Sequence, residues 1–429
     1  MGNGLEAESL HKSALSCIFA IGHHKTLKDI HFYQSANYPC FRSFSFYTPC
    51  LLEARNATPN AEPATAVATN IAATKKTKIQ VAILLDTSGS MQGLIEQAKS
   101  RLWNIVNTLT TLKYKGESPD IEIALYEYGS YNLYDGDYIR RITPFTVDLD
   151  MISKELFALT TGGSEEFCST VIRKAVKELE WGRNDADMKL IYIAGNEIFT
   201  QGSIPYKTAI AEAIQNNIFV NTIHCGNESM GIRDFWQDAA IHGKGKFFNI
   251  DANAVPRQIK TPFDPQIILC NEKLNDTYIS YGTIGKERKM NQVIQDNNAN
   301  AISSANYTER AVSKSKAVYK NTSWDLVDKM KEDKNVLSNI RKEELPEELK
   351  DKSSEEIKNI ITQKGKERIS LQKEIAELAV NRQAYIEEEL KKEGNSKGDD
   401  LGQAIASSIL AFANQKGYTV EGRDNLPNE

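Results

Sequence analysis

Apolar positions in the middle of the chain alternate between two periods. Residues 79–85 (IQVAILL) are almost continuously apolar, as expected of a strand buried on both faces. The next segment, 91–112, places Leu94, Ala98, Leu102, Ile105 and Leu109 on one stripe and predicts an amphipathic helix. Residues 121–128 (IEIALYEY) alternate as a strand does, and 138–143 (YIRRIT) read as a shorter, more polar edge strand. A helix is expected over 169–181, a buried strand over 189–194 (KLIYIA) and a helix over 206–217. A strand over 218–225 (IFVNTIHC), a helix over 232–240 and a last strand over 246–250 follow. Strands separated by helices of this length predict an α/β fold: a doubly wound, mostly parallel six-stranded sheet flanked by helices. In such folds ligands sit beyond the carboxyl ends of the strands. Asp86, Gly195 and Cys225, each at or just past a strand end, are therefore expected on one rim.

Past Pro265 the pattern changes. Residues 261–325 read as a partly helical connector and 326–429 as a mainly α-helical region. Trp324, Leu326, Val327 and Met330 make a small apolar face. Over 355–393, Ile357, Ile361, Leu371, Ile375, Leu378, Tyr385 and Leu390 recur at three- and four-residue steps, interrupted by Lys364 and Arg368. That seam predicts an amphipathic helix in a hairpin or short coiled coil. A break is expected at 395–400 and a further apolar helix over 403–415; the charged runs beyond residue 325 read as solvated faces. Residues 1–77 carry neither period. They are expected to be leader or linker, largely disordered, because the Ala-, Thr- and Pro-rich stretch from residue 56 cannot bury enough surface. The spacing of Cys17, His23, His24, Cys40 and Cys50 matches no zinc pattern. Residues 78–260 contain every buried strand of the pattern and are expected to fold as a unit.

Composition narrows the function. With 52 Lys and Arg against 57 Asp and Glu, a net charge of −5 over 429 residues argues against a broad basic surface for nucleic acid. No run of about 20 apolar residues predicts a transmembrane segment. Six cysteines are too few for a disulfide scaffold. The reactive chemistry concentrates in Asp86-Thr87-Ser88-Gly89-Ser90, where the first strand enters the first helix. One carboxylate and two hydroxyls at steps of two suit a hard cation such as Mg²⁺, Mn²⁺ or Ca²⁺. A second loop must add ligands, and 160–166 (TTGGSEE) offers hydroxyls and carboxylates. The other reading of Asp86 and its serines is a cap on the first helix.

The run ILLDTSGSM in this β/α frame resembles the DxSxS loop of von Willebrand factor type A domains and their metal-ion-dependent adhesion site. The resemblance implies Asp86, Ser88 and Ser90 as metal ligands. GGSEEFCSTVIRKA resembles the form of the family in which a Glu opening a helix completes the site, which places Glu166 there, with Thr161 and Ser164 as further candidates. Family members usually carry TDG after the fourth strand. Here the segment is Ala194-Gly195-Asn196-Glu197, so Gly195 replaces the usual Asp, and Asn196 or Glu197 are neighbouring substitutes. Cys168 and Cys225, expected near one rim, are a candidate disulfide.

The expected function is that of a non-enzymatic, divalent-cation-dependent adhesion or interaction protein, with a partner protein's carboxylate completing the metal sphere. A cell-envelope or secreted setting goes with it. The alternatives are a cytoplasmic assembly or chaperone-adaptor module and a metal-assisted hydrolase. No GxxxxGK[ST] loop or GxSxG elbow supports an enzyme, and Ser88 stands where a haloacid-dehalogenase-like phosphatase needs its second Asp.

Overall fold

A computed structural model describes residues 76–392, apart from 132, 134 and 135, and residues 400–421. All but the last two residues of the expected leader lie outside these, as do the amino-terminal Cys and His residues and most of the expected break at 395–400. Strands and helices alternate as β1 (Lys78–Asp86), α1 (Gln92–Thr110), β2 (Leu112–Tyr114), β3 (Asp120–Tyr128), β4 (Ile139–Thr146), α2 (Leu149–Phe157), α3 (Cys168–Glu178), β5 (Met188–Gly195), α4 (Tyr206–Gln215), β6 (Phe219–Cys225), α5 (Glu228–Arg233), α6 (Trp236–His242) and β7 (Lys244–Ile250). Six of the strands form one sheet in the order β4-β3-β1-β5-β6-β7. Every pairing is parallel except that of the edge strand β4, which runs antiparallel to β3. All six strands expected from the sequence are present, within a few residues of their predicted bounds.

Alternation of side chains along each strand divides the interior into two layers. Ile79, Val81, Ile83 and Leu85 of β1 join the core beneath α1 and α2. Ala82 and Leu84 face the opposite layer, with α3, α4 and α6. The long apolar strands are explained by this double cover, since helices on both faces leave no strand position for water.

The rest of the chain runs through α7 (Asp264–Asn275), α8 (Gly285–Ile302), α9 (Ser304–Ser315), α10 (Leu326–Glu332), α11 (Val336–Asn339), α12 (Ser354–Lys392), α13 (Leu401–Gln415) and β8 (Tyr418–Val420). The last helix returns to the sheet. Helix α13 lies beside α1 and packs on β5, β6 and β7. Its Ile405, Ile409, Phe412 and Ala413 are buried in the core that contains Ile79 and Leu85, and Ser408 donates a hydrogen bond to Asn221 of β6 at 2.9 Å. One apolar core therefore crosses residue 260. Gln97 of α1 ties the pieces together. Its amide donates to the carbonyls of Asp251, Ala252 and Ala254 after β7, and its oxygen accepts from Leu401 N at 3.1 Å. Strand β8 then pairs with β2.

Helices α7–α12 form an excursion between β7 and α13. The 39-residue α12 spans the predicted seam and packs on α7, α9 and α10 of its own chain. Two arginines of this helix correct the expectation of solvated charged faces. Arg368 is buried over the ring of Tyr278, with its guanidinium 2.7 Å from Asp325 and 2.8 Å from Asp328. Arg382 is buried against Asp264 and Glu309. Of the small face expected from Trp324, Leu326, Val327 and Met330, the last three cluster with Leu349, Ile357 and Ile361, while Trp324 packs into the larger core.

Candidate metal centre

Three loops meet at the carboxyl end of β1. The loop after β1 is held by Thr87 N donating to Tyr128 O (2.8 Å) and Gly89 N donating to Gly163 O (3.1 Å). The loop after α2 returns the contact through Gly162 N to Thr87 O (2.8 Å), and Tyr131 N donates to Gly162 O (3.1 Å). Gly163 has φ 117° and an added Cβ would lie 2.4 Å from Gly129 O, so only glycine lets these loops close so tightly. The Gly162-Gly163 pair is thus part of the site's frame.

Within this frame Asp86 and Ser88 are buried, and Ser88 N donates to Asp86 Oδ1 at 2.7 Å. The Ser88 and Ser90 hydroxyls lie 3.4 Å apart. Glu166, just ahead of α3, is only 3% exposed and stands beside Asp86 and Ser88: a Cβ on Gly129 would meet Asp86 Oδ1 at 2.8 Å, Glu166 Cγ at 3.2 Å and Ser88 N at 3.4 Å. Gln201 Oε1 accepts from Glu166 N at 3.1 Å, a positioning contact that the sequence alone had not suggested. Burial pushes the Asp86 carboxyl up to about 6. Burial and the neighbouring Asp86 charge push Glu166 up to about 9. No Lys or Arg forms a salt bridge to either carboxyl among the described residues. Asp86 Oδ2 and Asn196 Oδ1 are buried without a hydrogen-bond partner.

The candidates separate cleanly. Asp86, Ser88, Ser90 and Glu166 come together, and Asn196 joins them by donating from Nδ2 to Ser90 Oγ at 3.2 Å. Glu197 is exposed, yet its charge raises both buried carboxyls. Thr161 is turned away, its hydroxyl donating to Gln92 Oε1 at 3.0 Å. Ser164 is exposed, as is Glu165.

Gly195 has a steric cause. A Cβ there would stand 2.5 Å from Tyr128 Oη and 3.1 Å from Asp86 Oδ2. Tyr128, buried, donates its hydroxyl to Ala194 O at 2.9 Å and occupies the space that a side chain at 195 would need. The sequence showed the missing Asp but not the phenol that excludes it. The candidate disulfide is not made: Cys168 and Cys225 are both buried free thiols. They belong to the two separate layers of core on opposite faces of the sheet.

Hard oxygen donors, two clustered carboxyls without a counter-cation and an orphaned carboxylate oxygen match the needs of Mg²⁺, Mn²⁺ or Ca²⁺. The residues present therefore fit a divalent cation. A helix cap alone leaves Asp86 Oδ2 unexplained, and no side-chain cap hydrogen bond is made at the start of α1.

No protein-family model matches the chain, and no curated protein matches it. Solved structures do. BatB, a conserved hypothetical protein from Bacteroides thetaiotaomicron, aligns at 16% identity over 40% of this chain and 90% of its own, with a TM-score of 0.31. The SpRpn10 VWA domain aligns at 18% identity over 42% of this chain and 90% of its own, with a TM-score of 0.30. The pilus adhesin SpaC of Lactobacillus rhamnosus GG aligns at 12% identity over 41% of this chain and 28% of its own, with a TM-score of 0.32. The sheet order, the antiparallel edge strand and the Asp86-Thr87-Ser88-Gly89-Ser90 loop at the end of β1 give this chain the fold of a von Willebrand factor type A domain.

Proposed function

We propose that this protein binds a partner protein through a divalent cation and carries out no catalysis. Asp86, Ser88, Ser90 and Glu166 hold the cation, with Asn196 beside them, and a carboxylate of the partner completes its sphere. The cation supplies positive charge that no side chain of the described residues supplies there. The observation that carries the reading is the pair of buried carboxyls, Asp86 and Glu166, with Asp86 Oδ2 left unpartnered. Such an arrangement costs stability when empty and is relieved by a dication.

With Gly195 in place of an acid, the site holds one carboxylate fewer, and affinity falls as ligand charge is lost. Binding of the free cation is expected on the order of millimolar, tightened by the partner carboxylate through reciprocal coupling. Mg²⁺ and Mn²⁺ calorimetry tests this. Wild type should show binding, Asp86→Ala, Ser88→Ala and Glu166→Ala none, and Glu165→Ala a near-normal isotherm. Identical traces for wild type and Asp86→Ala at several millimolar cation would leave the loop as a helix start and remove the mechanism.

No helix among the described residues is long and apolar enough to cross a membrane. The cell-envelope or secreted setting expected from the resemblance belongs to this proposal and is tested by fractionation of native cells.

A further inference from the structure

Beside the cation site, between the loop after β5 and the loop after β6, lies a cavity of about 390 Å³. Its lining includes Asn196 and Glu197 on one side and His224, Met230, Arg233 and Asp234 on the other. Asn196 also touches Ser90, so the two sites share a wall.

His224 is the next-to-last residue of β6 and is 1% exposed. Its Nδ1 lies 2.8 Å from Asn249 Oδ1. Asn249 Nδ2 donates to Gly226 O at 2.6 Å, which assigns Oδ1 as the acceptor. Nδ1 is therefore the donor in that contact, and Nε2 has no hydrogen-bond partner among the described residues. The ring sits tightly: a Cβ on Gly231 would come 2.7 Å from its Cγ, and Trp236 lies 5.8 Å away, centroid to centroid. A buried imidazole thus lines the cavity, with no described residue hydrogen-bonded to its second nitrogen.

The walls and rim add to this. Ile198 and Met230 present apolar surface at 38% and 43% exposure. Glu197 stands on the rim as an exposed carboxylate. Arg233 does not cancel it, because its guanidinium is engaged by Asp234 at 2.8 and 2.9 Å. Apolar walls, a buried imidazole and a net negative rim suit a long aliphatic stem ending in a cationic donor.

We propose that this cavity takes a lysine or arginine side chain of the same partner that supplies the carboxylate. The proposal rests on the cation-dependent reading above. In register, His224 pairs with Gly195 on β5, and β5 lies next to β1. His224 and Asp86 are thus two strand spacings apart, roughly 10 Å. Residues of an extended peptide advance about 3.4 Å each, so the cationic residue belongs two or three positions from the acidic one.

The test uses the full chain and two probes. The first is a set of alanine-based heptapeptides with a central Asp and Arg, Lys, Leu or Glu at each other position, measured by fluorescence polarisation in Mn²⁺ and in chelator. The second is n-butylguanidinium titrated in chelator while the ¹⁵N resonances of His224 are followed. Arg or Lys at one offset should tighten binding about tenfold over Ala, and Met230→Lys, at an exposed position, should abolish that preference. His224→Phe should abolish it too, and n-butylguanidinium should shift the Nε2 resonance without metal. Leu peptides equal to Arg peptides at every offset, or an unmoved Nε2 resonance, would overturn the pocket while Mn²⁺-dependent binding of the acidic peptides still upheld the cation reading. Peptide binding indifferent to chelator, with the resonance shift present, would uphold the donor pocket and overturn the cation reading.

Discussion

At Gly195 a single hydroxyl elsewhere in the fold decides the charge of the candidate site. Tyr128 Oη would lie 2.5 Å from any Cβ at that position. Gly195→Asp alone is therefore expected to cost about 1–3 kcal/mol through overpacking. Tyr128→Phe removes the obstructing oxygen at a cost of about 1 kcal/mol for its hydrogen bond. The double variant should regain part of the loss and bind Mg²⁺ at least about tenfold more tightly than wild type. Chemical denaturation and calorimetry read both effects; a double variant no tighter than wild type would mean that ligand charge does not limit this site. Glu166 yields a second expectation. Its carboxyl is buried beside Asp86, so Glu166→Gln should raise the melting temperature in chelator. The same substitution should erase the rise that Mg²⁺ produces in wild type by mass action. A Glu166→Gln variant that melts lower in chelator and still responds to Mg²⁺ would contradict the proposed role.

The element that most changes the picture is α13. It covers β5, β6 and β7 on the face that it shares with α1, although about 150 residues separate it from the last strand. A fragment of residues 78–260 lacks that cover and exposes the apolar face beneath Ile405, Ile409 and Phe412. It is expected to bind hydrophobic dye and to lose near-ultraviolet dichroism, whereas a fragment to which residues 398–421 are joined by a flexible linker should unfold cooperatively. Equal cooperativity in the two fragments would show that α13 is dispensable. In the full chain, Ile405→Ala and Ile409→Ala should each cost about 2–5 kcal/mol, since both side chains are fully buried.

Over the whole molecule, buried charge joins the helical excursion to the sheet domain. Arg310 of α9, stacked 4.6 Å from the ring of Trp103 in α1, reaches Asp150 of α2 at 2.7 Å and Asp296 of α8 at 2.5 Å. Lys314 adds a contact to Asp296 at 2.9 Å. Removing Arg310 leaves Asp150 and Asp296 short of charge, so Arg310→Leu should cost about 3–5 kcal/mol by thermal or chemical unfolding. Burial pushes the Asp296 carboxyl up, but the Lys314 and Arg310 charges outweigh it and hold it well below the usual carboxylate range. A depressed acid stabilises the fold above its unfolded value, about 3.9, and that contribution fades as pH falls further toward the folded value. Melting temperatures between pH 6 and pH 2.5 should therefore fall more steeply for wild type than for Asp296→Asn. Parallel curves would show that Asp296 does not set the acid limit.

The six strands, the helices between them and the grouping of Asp86, Ser88 and Ser90 were legible in the chain because each rests on local information, whereas Glu166 was suggested only by the family resemblance. Burial on two faces makes strands such as IQVAILL continuous, amphipathic stripes mark the helices, and a short loop brings hydroxyls two residues apart beside one carboxylate. What joins distant segments was not legible. Periodicity says that the helix over residues 403–415 has an apolar face but not that β6 covers it. Arg368 interrupts the seam without revealing Asp325 and Asp328, the aspartates that receive it. Two cysteines at loop ends carry no sign that they lie on opposite faces of the sheet. Gly195 shows as a missing acid, while the reason, Tyr128 two strands away on β3, exists only once β3, β1 and β5 lie side by side. Local propensity and pattern act over a few residues, whereas packing, ion pairing and exclusion depend on distances that only the closed sheet and its returning helix create.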